Sequence, residues 1–111
     1  FSHNYFIFFI MQKYISIPVK NEQNQLVLVN DIAIIEQTST TKVEIHYTSG
    51  KKVEVNHDTM AANNEEIRDR LQEHVVACLE QSWTNVTNQV TFNGISDVAG
   101  AVPEITSLAF A

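Results

Sequence analysis

Between Lys13 and His57 the apolar and polar positions follow the spacing of β-strands, and from Asn64 to Trp83 they follow that of a helix. Lys13 to Val19 alternates, with Ile15, Ile17 and Val19 on one side and Tyr14 and Ser16 on the other. Pro18 cannot donate to a ladder, so it marks a sheet edge or a strand end. The polar stretch Asn21 to Gln25 reads as a turn. Leu26 to Val29 and Ile32 to Ile35 are continuous apolar runs parted by Asn30-Asp31. Short runs of this kind predict strands covered on both faces.

The register of the next two strands can be argued from side-chain pairing, because residues opposite each other in an antiparallel pair share a face. A two-residue loop at Ser49-Gly50 would set Ile45 against Glu54 and Val43 against Asn56. A three-residue loop, Thr48-Ser49-Gly50, pairs Tyr47 with Lys51, Ile45 with Val53 and Val43 with Val55, and gives Gly50 the left-handed position such loops need. The three-residue loop is the expected one. It places Glu44 opposite Glu54 on the outer face, a mild repulsion that solvent would screen.

One helix follows. Asn64 is placed to cap it, and Glu65 and Glu66 stand in its first turn, where the helix dipole favours negative charge. Ile67, Leu71, Val75, Cys78 and Leu79 recur at helical spacing, and Val76 and Trp83 widen that face. After the helix, Asn88 to Gly94 alternates around Val90 and Phe92 and ends in an Asn-Gly turn. Residues 95–103 read as a loop hinged at Gly100, and residues 104–111 as a final strand. Five strands, one long helix and one or two further strands predict an α+β fold. Its sheet would be mainly antiparallel, curled strongly or into a partial barrel, with the helix packed across it.

At 111 residues, 44% hydrophobic and 18% charged, residues 11–111 make one ordinary globular domain. Residues 1–10 stand apart. Tyr5 to Met11 is an apolar run far shorter than the about 20 residues of a membrane span. It lacks the basic start and small-residue cleavage site of a signal peptide. The expected reading is a non-native leader or residues translated from upstream of a start at Met11; the alternative is a real strand or helical arm that docks on a partner chain.

The net charge of −6, with 13 acidic against seven basic residues, and the lack of Lys or Arg runs argue against nucleic acid as partner. Cys78 is the single cysteine. It excludes an internal disulfide and fits a reducing, cytoplasmic setting, in which Asn85-Val86-Thr87 is a chance glycosylation sequon.

The candidate chemistry is thin. His74 and Cys78, four apart on the helix, share a face, yet a nucleophilic pair would also need an orienting group and an oxyanion hole, and a small thiol in an apolar stripe is an ordinary core residue. His46 and Glu54 sit on neighbouring strands with Glu44 beside them, and His57 and Asp58 follow. Such a group could hold a divalent ion, or Glu44 and Glu54 could serve as an acid/base pair. A charged outer hairpin face looks the same. No phosphate loop, nucleophile elbow or His-Glu-x-x-His helix is present, so neither catalytic residues nor a cofactor are expected.

From Met11 onward the chain resembles small uncharacterised proteins of marine cyanobacterial phages with contractile tails. The resemblance is carried by KYISIPV, QLVLVNDIAIIEQTSTTKVEIHYTSGKKVEV, the EEIRDRLQEHVVACL helix and SWTNV, which cover most of residues 12–86. It implies a virion-structural or accessory role, in the host cytoplasm or the particle. The partners would be proteins, either further copies of itself or other virion components, not membrane. The strands KYISIPV and EITSLAFA are the expected pairing edges.

Overall fold

The computed structural model describes residues 13–80 and 87–111; residues 1–10, Trp83 and Asn85 lie outside them. The elements are β1 (Tyr14–Ile17), β2 (Gln25–Leu28), β3 (Ile32–Ser39), β4 (Lys42–Tyr47), β5 (Lys52–His57), α1 (Glu66–Glu80), β6 (Thr87–Gln89) and β7 (Ile105–Phe110). Five strands, a helix and two strands is the predicted order, and the fold is α+β and mainly antiparallel. The strands divide into two sheets, ordered β2-β1-β6 and β3-β4-β5-β7. All ladders are antiparallel except β1 with β6, which is parallel. A parallel bridge between Val19 and Ile105 ties the two sheets together.

The β4–β5 hairpin takes the expected register: Ile45 faces Val53 and Val43 faces Val55. The Tyr47 amide donates to the Lys51 carbonyl at 2.9 Å, and the Gly50 amide donates to the Tyr47 carbonyl at 3.0 Å. Gly50 has φ 90°, a left-handed backbone that only glycine adopts at little cost.

Helix α1 begins as its cap predicts. The Asn64 side-chain oxygen accepts the Glu66 amide at 2.8 Å, which satisfies one of the donors that a helix start leaves unpaired. At the other end α1 has no basic residue of its own; the buried Lys13 ammonium instead donates to the Leu79 carbonyl at 3.2 Å, placing a cation at the negative helix terminus. Arg68 Nε donates to the Ile35 carbonyl at 3.2 Å and fastens α1 to β3. Arg70 donates to the carbonyls of Thr91 and Asn93 at 2.8 and 3.0 Å and fastens it to the chain after β6. Between the sheets and α1 lie Ile15, Ile17, Val27, Ile45, Val55, Ile67, Leu71 and Ile105, each at most 1% exposed. Side chains of this kind contribute about 1.5–3 kcal/mol each by leaving water.

Several expectations are corrected. KYISIPV is not an edge: β1 is the middle strand of its sheet, and Pro18 costs no ladder bond because it falls just after the last strand residue. The runs in β2 and β3 are not covered on both faces, since Leu26 is 56% and Ile34 50% exposed. Both strands are the outermost of their sheets, with one face turned to water. On α1 the buried stripe is Ile67, Leu71, Val75 and Cys78; Val76 and Leu79 are about half exposed, because the helix rests on β1, β3 and β6 along a narrower strip than the sequence pattern implies. In the segment from Asn88 to Gly94, strand β6 ends at Gln89; the Val90 amide makes one more bond to β1, on the Ser16 carbonyl at 2.9 Å, and Phe92 enters the core beyond the strand. The Asn93-Gly94 turn is present, closed by the Ile95 amide on the Phe92 carbonyl at 3.2 Å.

Candidate functional site

Strand β7 is a free edge among the described residues from Thr106 onward: past the bridge from Val19 to Ile105 it pairs with β5 alone. Lys52 and Ala111 exchange both backbone bonds, at 2.9 and 3.0 Å. Antiparallel alternation then directs the backbone groups of Ala109 and Ser107 to β5 and turns those of Leu108 and Phe110 outward. The strand Ile-Thr-Ser-Leu-Ala-Phe carries no charge, and Phe110 is 63% exposed. Native edges are usually guarded by charges, bulges or proline. The opposite edge, β3, has such guards, with two register shifts and Glu36. β7 has a single shift near its start and is uncharged beyond it.

Beside β7 lies an apolar cleft of about 350 Å³ between the two sheets, lined by Tyr14, Leu26, Leu28, Tyr47, Val53 and Phe110. The Tyr47 hydroxyl donates to the Leu28 carbonyl across its floor, and burial pushes the Tyr47 pKa up to about 12, so the phenol stays neutral. Leu26 and Phe110 stand exposed at the mouth. Sequence reading missed this cleft, because β2 and β7 are nearly 80 residues apart in the chain; the one signal available was the uncharged run after Glu104. A second cleft of about 340 Å³ at the other end of the sheets is mixed in character, lined by Pro18, Phe92 and Val102 as well as Lys20, Asn93 and Glu104.

The outer face of the second sheet carries a row of carboxylates, since Glu36 pairs with Glu44 and Glu44 with Glu54. The repulsion expected between Glu44 and Glu54 is met by neighbouring lysines and a histidine hydrogen bond, not by solvent alone. Lys52 Nζ lies 3.1 Å from Glu54 and 3.6 Å from Glu44, Lys42 lies 3.5 Å from Glu54, and His46 Nε2 lies 3.0 Å from Glu44. The hydrogen bond from Lys52, followed by the charge of Lys42, holds the Glu54 carboxyl below its ordinary range. The bond to Glu54, then the charge of Glu44, raises the Lys52 pKa. Glu44 and Glu54 thus belong to an ion-paired surface.

The candidate group His46, Glu54, His57 and Asp58 is not brought together. His46 and Glu54 belong to the outer face, whereas His57 sits on the core face of β5 in line with Val53 and Val55 and is 3% exposed. Alternation along a strand forces that separation. His57 Nδ1 bonds to the Asp58 carbonyl at 2.7 Å and Nε2 to the Gln37 side-chain nitrogen at 2.9 Å. The Asp58 carboxylate accepts the Glu104 amide at 3.0 Å. Among the described residues no three His, Cys, Asp or Glu side chains gather so as to hold a metal ion.

His74 and Cys78 also face different partners. Cys78 is fully buried, and its thiol donates to the Tyr14 carbonyl at 3.4 Å; burial raises its pKa. His74 Nε2 accepts the Thr91 amide at 3.3 Å. The thiol is thus a core group whose environment disfavours the thiolate that nucleophilic chemistry needs. Among the described residues no helix is long and apolar enough to cross a membrane. The chain matches no family model, no curated protein and no solved structure.

Proposed function

We propose that this chain is a structural or accessory interaction protein that self-assembles or binds other proteins, in the virion-type role that the phage resemblance implies. The observation that carries the reading is the uncharged free edge of β7 with Phe110 exposed beside an apolar cleft. An edge of this kind supplies main-chain hydrogen bonds to an added strand, and the neighbouring cleft supplies side-chain pockets. On this reading the two sheets, joined at Val19 and Ile105, work as one curled wall or partial barrel left open between β2 and β7, and the opening is where a partner docks. Partners are proteins, not nucleic acid or membrane, since a net charge of −6 repels phosphates, and the protein acts in the host cytoplasm or the particle.

The test is molar mass by size-exclusion light scattering on the full chain and on a version starting at Met11, over a range of concentrations. Assemblies of one defined size from both forms support the reading. Strict monomers at several hundred micromolar from both refute self-assembly. A second reading, a small apolar-ligand module, rests on the size of the cleft and on its Tyr14 and Tyr47 walls; it expects a rise in melting temperature with a hydrophobic ligand such as a fatty acid, and no rise counts against it.

A further inference from the structure

We infer that the occupant of the β7 edge is a second copy of this chain, paired antiparallel about a two-fold axis at Leu108 so that the two four-stranded sheets join into one of eight strands. The inference rests on the interaction reading above and names its partner.

Three observations lead to it. First, the outward backbone groups are those of Leu108 and Phe110, and toward the start of the strand the edge is closed: the Lys20 amide donates to the Ile105 carbonyl at 2.8 Å. The open stretch is therefore residues 106–110, and a two-fold at Leu108 centres on it. Leu108 then faces Leu108 of the second copy, and Thr106 faces its Phe110. Second, charge favours this geometry. Each copy carries −6 overall, so most surfaces repel, but residues 105–110 are neutral. At one end of the strand Glu104 lies 4.0 Å from Lys20, and at the other Lys52 is tied to Glu54 and Glu44 at 3.1 and 3.6 Å. Those charges are met within each copy, so joining two β7 edges sets no like-charged rows against each other. Third, the competing edges are poorer. β3 is bulged and bears Glu36, and β2 and β6 have only four and three residues. A two-fold closes on itself and gives a dimer, not a fibre.

Ser107 and Ala109 are exposed on the outer face, and in this register each lies opposite the other residue of the second copy. The S107K/A109K double variant therefore sets lysine against lysine at both positions. Light scattering should give a dimer for the native chain and a monomer for S107K/A109K, with circular dichroism and melting showing that the variant is folded. Mixing it one to one with S107E/A109E should restore dimers. As an independent check on register, Leu108→Cys should form an intermolecular disulfide under mild oxidation at least tenfold faster than Ala99→Cys on the loop before β7; opposed residues in a hydrogen-bonded pair have Cα atoms about 5.5 Å apart, within disulfide reach. A dimer that survives in S107K/A109K, or equal cross-linking at the two positions, overturns the two-fold β7 pairing while leaving an interaction protein that uses another face. A native chain that is monomeric at several hundred micromolar overturns both the two-fold pairing and self-assembly, leaving only the binding of other proteins.

Discussion

His57 makes this fold sensitive to mild acid in a way that can be isolated. Its ring is 3% exposed on the core side of β5. Nδ1–H donates to the Asp58 carbonyl at 2.7 Å, which leaves Nε2 as the acceptor for the Gln37 amide at 2.9 Å. The Gln37 nitrogen is held in that orientation because the carbonyls of Ser39 and Lys42 also lie 2.7 and 3.1 Å from it, so its two N–H groups are shared among three acceptors and its oxygen could not take its place. Protonating Nε2 would set N–H against N–H. Burial, opposed by the hydrogen bond to Asp58, lowers the pKa of His57 below the ordinary histidine value of 6.5. The unfolded chain then binds this proton more readily than the folded one, so stability is complete above about pH 6.5 and falls as the pH drops from there toward the folded pKa. One proton gives a slope of at most about 1.4 kcal/mol per pH unit, hence a loss of at most about 2 kcal/mol between pH 7 and pH 5. Urea unfolding followed by far-ultraviolet circular dichroism measures it, with the midpoint moving down by about 1 M for that loss. In His57→Gln the slope over this window should flatten relative to the native chain, whatever the variant does to stability at pH 7. The other ionisable groups are common to both proteins and cancel in the comparison. Parallel pH dependences of native chain and variant between pH 7 and pH 5 would refute the reasoning.

Three further outcomes are expected. Gly50→Ala should destabilise by about 1–2 kcal/mol, and Gly50→Asn by less, in urea unfolding at constant slope: a Cβ there meets nothing within 4 Å, so the cost is that of a left-handed backbone alone. Asn64→Ala should cost about 0.5–2 kcal/mol through loss of the cap on Glu66, and Asn64→Asp or Ser should recover most of it in the same assay. Cys78 in the native protein should react with a disulfide reagent at pH 8 at least a hundredfold more slowly than in 6 M guanidinium, since its thiol is fully buried with a raised pKa; rapid native labelling would reopen the nucleophile reading.

The β4–β5 hairpin and α1 were legible in the residues because their determinants are local. Gly50 and the matched pairs Val43–Val55 and Ile45–Val53 leave one sensible register, and the helix carries its cap and most of its apolar stripe within a single stretch of chain. The candidate site was not legible. His46, Glu54, His57 and Asp58 look clustered in the sequence, but the two-residue period of a strand sends His57 to the core and Glu54 to the outer face. Leu26, Tyr47 and Phe110, far apart in the chain, line one cleft.

By itself, then, the sequence determined the order of elements, the hairpin register and the capped start of the helix, since each follows from backbone preference and side-chain period within about twenty residues. Only the tertiary structure decided that β1 is central, that β6 lies parallel to it, and that β7 is left as an uncharged edge beside the cleft. Those outcomes depend on which strands find each other across long stretches of chain, and short apolar strands are nearly interchangeable as partners until the whole core has been packed.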